Sequence, residues 1–190
     1  MLLLVAIFRA SWITCGAESQ DPEQLDSLAA SPGVQGSPRV RGSSPEMART
    51  IEDAWKRSST FRQLVATINR TDGIVYVHHG TCGRNVLACL VLGVTRAGPN
   101  RILHIRVDKR KTGRDLMVAI GHELQHAIEV LSEPGVVDTD SARLFYERVA
   151  RTERPSFETE VAIETELRVD GELRDWERQQ RAVTPVRKDN

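Results

Sequence analysis

The sequence predicts an α+β fold, and three features point that way. Short runs rich in branched and aromatic residues, Ile74–Val77, Val86–Val94 and Ile102–Val107, cluster in mid-chain between turn residues, as the strands of a small sheet do. Helical periodicity flanks them, with Met47, Ile51 and Ala54 before and Leu116, Ile120, Leu124, Ala127 and Leu131 after, each set recurring at three- and four-residue steps. Residues 1–44 lack both patterns. A chain of 190 residues suits one domain, and that domain is expected at residues 45–182.

The elements follow in order. Leu2–Phe8 is a short apolar run and Cys15-Gly16-Ala17 offers small residues for cleavage, so residues 1–17 are expected to be a signal peptide and the protein to be exported. Arg9 interrupts the run and no basic residue precedes it. Residues 18–44, rich in Ser, Pro, Gly and Gln, bury too little to offset their ordering entropy and are expected to be a disordered linker. Pro45 suits a first helical turn. A second helix carries Phe61, Leu64, Val65 and Ile68 and stops at Thr71-Asp72-Gly73. The three strands come next, with a turn at 97–100.

A basic turn, Lys109–Gly113, leads into a helix over 114–133, where Gly121 is the one glycine and proline is absent. Glu133-Pro134-Gly135 ends it, and Asp138-Thr139-Asp140-Ser141 caps another helix with Leu144, Phe145 and Val149 on its buried side. Thr152–Pro155 is a break. The final helix is expected over 157–180, with Phe157, Val161, Ile163, Leu167, Leu173 and Trp176 as its apolar positions and Gly171 as a point of division. Residues 183–190 are expected to fray.

Lys plus Arg and Asp plus Glu both number 26, which gives no reason to expect a nucleic-acid partner. No apolar run approaches the roughly 20 residues of a membrane span. Cleavage after Ala17 leaves Cys82 and Cys89, expected as a disulfide in an exported chain; two buried thiols or zinc ligands are the alternatives.

The helix over 114–133 contains His122-Glu123-Leu124-Gln125-His126. Residues four apart sit one above the other on a helix, so both imidazoles can reach one zinc ion at about 2.0–2.1 Å. Glu123 projects beside that metal, where it can take a proton from an activated water. A third protein ligand is needed to complete such a site and leave one position open. Glu129, about 10 Å up the helix axis from His122, is expected to face solvent instead. His104 is expected to be a half-exposed strand residue.

This pentad resembles the active-site motif of the zincin metallopeptidases. No His follows His126, and Ala127-Ile128-Glu129-Val130 takes the place of the elongated metzincin pattern. The likeness is therefore to the gluzincins, in which a Glu from a later helix completes the site. Phe157-Glu158-Thr159-Glu160-Val161-Ala162 resembles their Glu-x-x-small-residue helix, without the usual Asp after the small residue. The resemblance implies a zincin-like fold, one Zn2+ held by His122, His126 and Glu158, Glu123 as general base, and a peptide or protein substrate. Glu147 and Glu160 are the other candidates for third ligand, and Tyr76, Tyr146, His78 and His79 for oxyanion donor. A hydrolase of another amide in the cell envelope and a non-catalytic scaffold are the alternative functions. The strand before the zinc helix, Ile102–Val107, is expected to offer an edge to an extended substrate.

Overall fold

A computed structural model describes residues 38–83, 86–149 and 158–183. The expected leader, most of the linker, the break at 152–155, Phe157 and residues 184–190 lie outside the described residues. The elements are β1 (Val40–Gly42), α1 (Pro45–Arg57), α2 (Ser59–Asn69), β2 (Gly73–His79), β3 (Ala88–Ala97), β4 (Asn100–Val107), α3 (Gly113–Leu131), α4 (Thr139–Val149) and α5 (Glu160–Val183). The fold is α+β, as the periodicities predict.

The four strands form one mixed sheet in the order β1-β2-β4-β3. β1, β2 and β4 run parallel, and β3 returns antiparallel along β4. Val75 and Val77 of β2 and Leu103, Ile105 and Val107 of β4 are fully buried and join Met47, Phe61, Ile68, Ile120 and Leu124 from the helices in one core. Their alternates, Tyr76, His78 and His104, stack ring on ring on the opposite face, which is the period-two alternation of a strand.

Four expectations are corrected. The ordered chain starts before residue 45, because β1 lies inside the expected linker. Val40 is buried, and the segment pairs with β2 over three residues, so a ready strand orders a stretch whose composition alone would not. Gly42 permits the tight step into α1, since a Cβ there would stand 2.3 Å from the Ala48 nitrogen. Second, β4 is an interior strand and β3 takes the edge beside α3. Third, Leu144 and Val149 of α4 and Val161 and Leu167 of α5 are exposed. The inward stripes are Ala142-Phe145-Tyr146 and Ala162-Thr165-Val169-Leu173; both keep helical spacing, the second mostly with smaller residues. Fourth, α5 runs unbroken through Gly171 and starts at Glu160, because Thr159 caps it: the Thr159 Oγ1 accepts from the Ala162 N–H at 3.2 Å.

Three sets of polar contacts hold this frame together. Arg101, buried on β4, grips Asp72 through Nε and Nη2 and donates to the carbonyls of Val130, Leu131, Glu133 and Val136. It thereby satisfies carbonyls that the C-terminal end of α3 leaves without helical partners. Glu172 of α5 accepts from Ser58 Oγ, Ser59 Oγ, Thr60 Oγ1 and the Thr60 N–H, anchoring α5 to the start of α2. Arg114 of α3 reaches Asp170 and Glu177 of α5. Among the described residues no helix is long and apolar enough to cross a membrane.

Candidate metal centre

α3 is buried almost all round. His122, Glu123 and His126 are 8%, 5% and 5% exposed, so each must find partners within the protein. The helical turn between the histidines sets their rings edge to face at 4.9 Å between centroids and points both Nε2 atoms at one spot, 3.2 Å apart. Glu158 arrives from the residues just ahead of α5, with its Oε2 3.2 Å from His122 Nε2 and 4.0 Å from His126 Nε2. These three side chains form a group able to hold a metal ion, with all donor atoms within 4.8 Å of one another. Two imidazole nitrogens and a carboxylate oxygen suit a divalent transition metal.

The other glutamates separate clearly. Glu147 is exposed and paired with Arg143 at 2.9 Å. Glu160 is exposed as the first residue of α5. Glu158 stands before that helix, not on it.

Glu123 and Glu158 line the same cavity. The Glu123 Oε2 accepts the Leu90 N–H of edge strand β3 at 2.6 Å. Burial raises its pKa, opposed by the neighbouring His126 and His122 and by the Leu90 N–H. For His122, burial disfavours the charged form, but the carboxylates of Glu158 and Glu166, with the charge of Glu123, outweigh it and push its pKa up to about 10.

The far side of each histidine also meets a carboxylate. His126 Nδ1 is 2.9 Å from Glu129 Oε2, and Glu129 Oε1 accepts from Thr159 Oγ1 at 2.6 Å. Glu129 is therefore turned inward, with its side chain 14% exposed, and the expectation that it faces solvent is corrected. His122 Nδ1 is 3.0 Å from Glu166 Oε2, close but not aligned as a hydrogen bond. Glu129 was detectable in the sequence, being three residues beyond His126 and so on a neighbouring face of the same helix. Glu166, Leu90 and Thr159 carried no such local signal, since only the tertiary fold brings them near.

A cavity of about 210 Å³ opens beside Glu123, His126 and Glu158, walled by Val86, Ala88, Leu90 and Leu92 with Tyr146 and the disulfide between Cys82 and Cys89. Tyr146 packs against His126 with ring centroids 5.8 Å apart, and its hydroxyl donates to the His126 carbonyl at 3.1 Å. Burial, then the charges of Glu129, Glu123 and Glu158, raise its pKa. His78 stacks on the outer face of the sheet and His79 approaches the Val107 carbonyl; neither lines this cavity. Tyr76 belongs to the same outer face, under Arg41.

Comparisons with protein-family models, with curated proteins and with solved structures find no match to this chain.

Proposed function

We propose that the protein is a zinc-dependent hydrolase that cleaves peptide bonds, with a zincin-like arrangement in which His122, His126 and Glu158 hold the ion and Glu123 is the general base. One observation carries this proposal: the spacing of the three donors. Ligands of a tetrahedral zinc at about 2.0–2.1 Å stand about 3.3 Å from each other. The separations here are 3.2 Å for His122–His126, 3.2 Å for His122–Glu158 and 4.0 Å for His126–Glu158.

A zinc ion held there would supply Lewis acidity, polarising a carbonyl and bringing the pKa of a water towards about 7. The chain's own groups support the rest. Glu123 lies on the cavity side of α3 in a dry setting that raises its pKa, which fits a carboxylate that must both take a proton and return it to a leaving amine. Ala88, Leu90 and Leu92 of the edge strand β3 wall the same cavity. An extended peptide can pair with such an edge through main-chain hydrogen bonds, which favours a peptide over another amide. The disulfide supports an oxidising, exported setting.

The test is metal analysis of the full chain together with hydrolysis of a mixed peptide library by the wild type and Glu123→Gln. The variant should keep one zinc per chain and lose activity by about 10²–10⁴-fold. Zinc uptake with no hydrolysis by the wild type would leave a scaffold role instead. Failure to take up zinc would refute the proposal.

A further inference from the structure

We propose that Glu129 is a positioning residue of the metal centre, and that with Thr159 it ties two of the three ligands into one unit. The inference rests on the metal-binding half of the proposed function and goes beyond it, because neither residue is a ligand.

Zinc takes the bare nitrogen of a neutral imidazole, so the proton must be kept on the other one. For His126 the bare nitrogen has to be Nε2, which faces His122 Nε2 and Glu158. Glu129 selects that form. Its Oε2, 2.9 Å from His126 Nδ1, accepts from an Nδ1–H and gains nothing from the other tautomer. A carboxylate behind a ligating histidine also fixes the ring's orientation and raises its basicity.

Glu129 faces a second task through its other oxygen. Oε1 accepts the Thr159 hydroxyl at 2.6 Å, and Thr159 is the covalent neighbour of Glu158 and the cap of α5. A His126–Glu129–Thr159 chain thus runs behind the site and fastens the segment bearing Glu158 to the helix bearing both histidines. Glu158 precedes α5, and the Thr159–Glu129 hydrogen bond fastens the chain at the very next residue. The geometry at His122 is weaker, because Glu166 approaches its Nδ1 without hydrogen-bond alignment.

The experiment measures zinc affinity by competition with a chromophoric chelator for the full-length wild type and for Glu129→Ala, Glu129→Gln, Thr159→Val, the Glu129→Ala/Thr159→Val double variant, and the exposed control Glu147→Ala. Glu129→Ala should weaken zinc binding by about 10–100-fold. Glu129→Gln should recover most of the loss, because its amide oxygen can still accept from Nδ1–H. Thr159→Val should weaken binding as well, and the double variant should be no worse than Glu129→Ala, since both act through one chain. Glu147→Ala should be unchanged. In zinc-loaded protein the ¹⁵N signals of His126 should show a protonated Nδ1, lost or mixed in Glu129→Ala.

Zinc affinity within twofold of wild type in Glu129→Ala overturns the inference while leaving the hydrolase proposal standing. An additive double variant overturns the Thr159 link. A wild type that binds no zinc overturns both. Should Glu129→Ala fail to fold, Thr159→Val carries the same test one link further along the chain. A merely structural Glu129 would lower the unfolding midpoint of metal-free protein without changing the zinc affinity of folded protein or the His126 tautomer.

Discussion

Replacing Arg101 by Ala should be among the most damaging substitutions outside the candidate metal centre. Arg101 is 4% exposed and makes charge-assisted hydrogen bonds to Asp72 and to four carbonyls around the end of α3, at 2.7–3.2 Å for the carbonyls. Removing it leaves those buried carbonyls short of a donor and opens a space between β4 and α3, while the Asp72 carboxylate, its side chain 41% exposed, is left to water. A buried acceptor left without its donor costs about 1–3 kcal/mol, and with the packing lost around the Arg101 stem we expect a loss of about 3–5 kcal/mol. In a protein of this size that lowers Tm by roughly 10 °C. Arg101→Lys should restore a minority of the loss, because an ammonium keeps the charge but not the fork that spans both Asp72 oxygens and the carbonyls. Guanidinium unfolding followed by circular dichroism measures both variants, with the slope unchanged if only the native state is affected. A loss below about 1 kcal/mol for Arg101→Ala would refute this account, because a solvated pair contributes no more than that.

Three further outcomes follow from contacts described above. Burial alone would raise the Glu172 pKa, but donors from Ser58, Ser59 and Thr60 prevail and hold it below 4.5. Its contribution to stability is therefore present above the unfolded value and lost as pH falls through the folded one; acid titrations should show a smaller loss below pH 4.5 for Glu172→Gln than for wild type. His122 behaves in the opposite sense, its folded pKa of about 10 lying above the usual 6.5. Metal-free protein should thus lose stability as pH rises from 6.5 towards 10, a trend weakened in His122→Gln, and zinc affinity should fall as pH drops because the ion displaces the His122 proton. The disulfide of Cys82 and Cys89 closes a short loop. The Cys82→Ser/Cys89→Ser variant should be about 2.5 kcal/mol less stable by the loop-entropy relation, read from urea unfolding against oxidised wild type.

The sequence revealed most where one periodicity was strong. The stripe from Leu116 to Leu131 places α3, and the two histidines four apart already put both rings on one face. Arg101 was also legible in part: it shares strand parity with Leu103, Ile105 and Val107, which turns it towards the core. β1 was not legible, because a three-residue strand in a Ser- and Pro-rich stretch owes its order to β2 and not to its own propensity. The exposed positions of α4 and α5 were misjudged for a related reason. Large apolar residues such as Leu144 and Leu167 look like core, yet Ala162, Thr165 and Val169 are the residues small enough to let α5 lie close to α3. The place of Glu158 ahead of its helix depended on which residue captured the cap, and Thr159 did so.

Gly121, one residue before His122, sits where α3 meets α5; a Cβ built there would come within 3.2 Å of Val169 Cγ2. The missing methyl group lets the two helices lie close at this point, and the same pair of elements carries the ligand set, with Glu158 on the lead-in to α5 and both imidazoles on α3. An Ala at position 121 would require its neighbour Val169 on α5 to give by a few tenths of an ångström. The empty position at 121 thus belongs to the packing that brings the lead-in to α5 up against the helix of the two imidazoles.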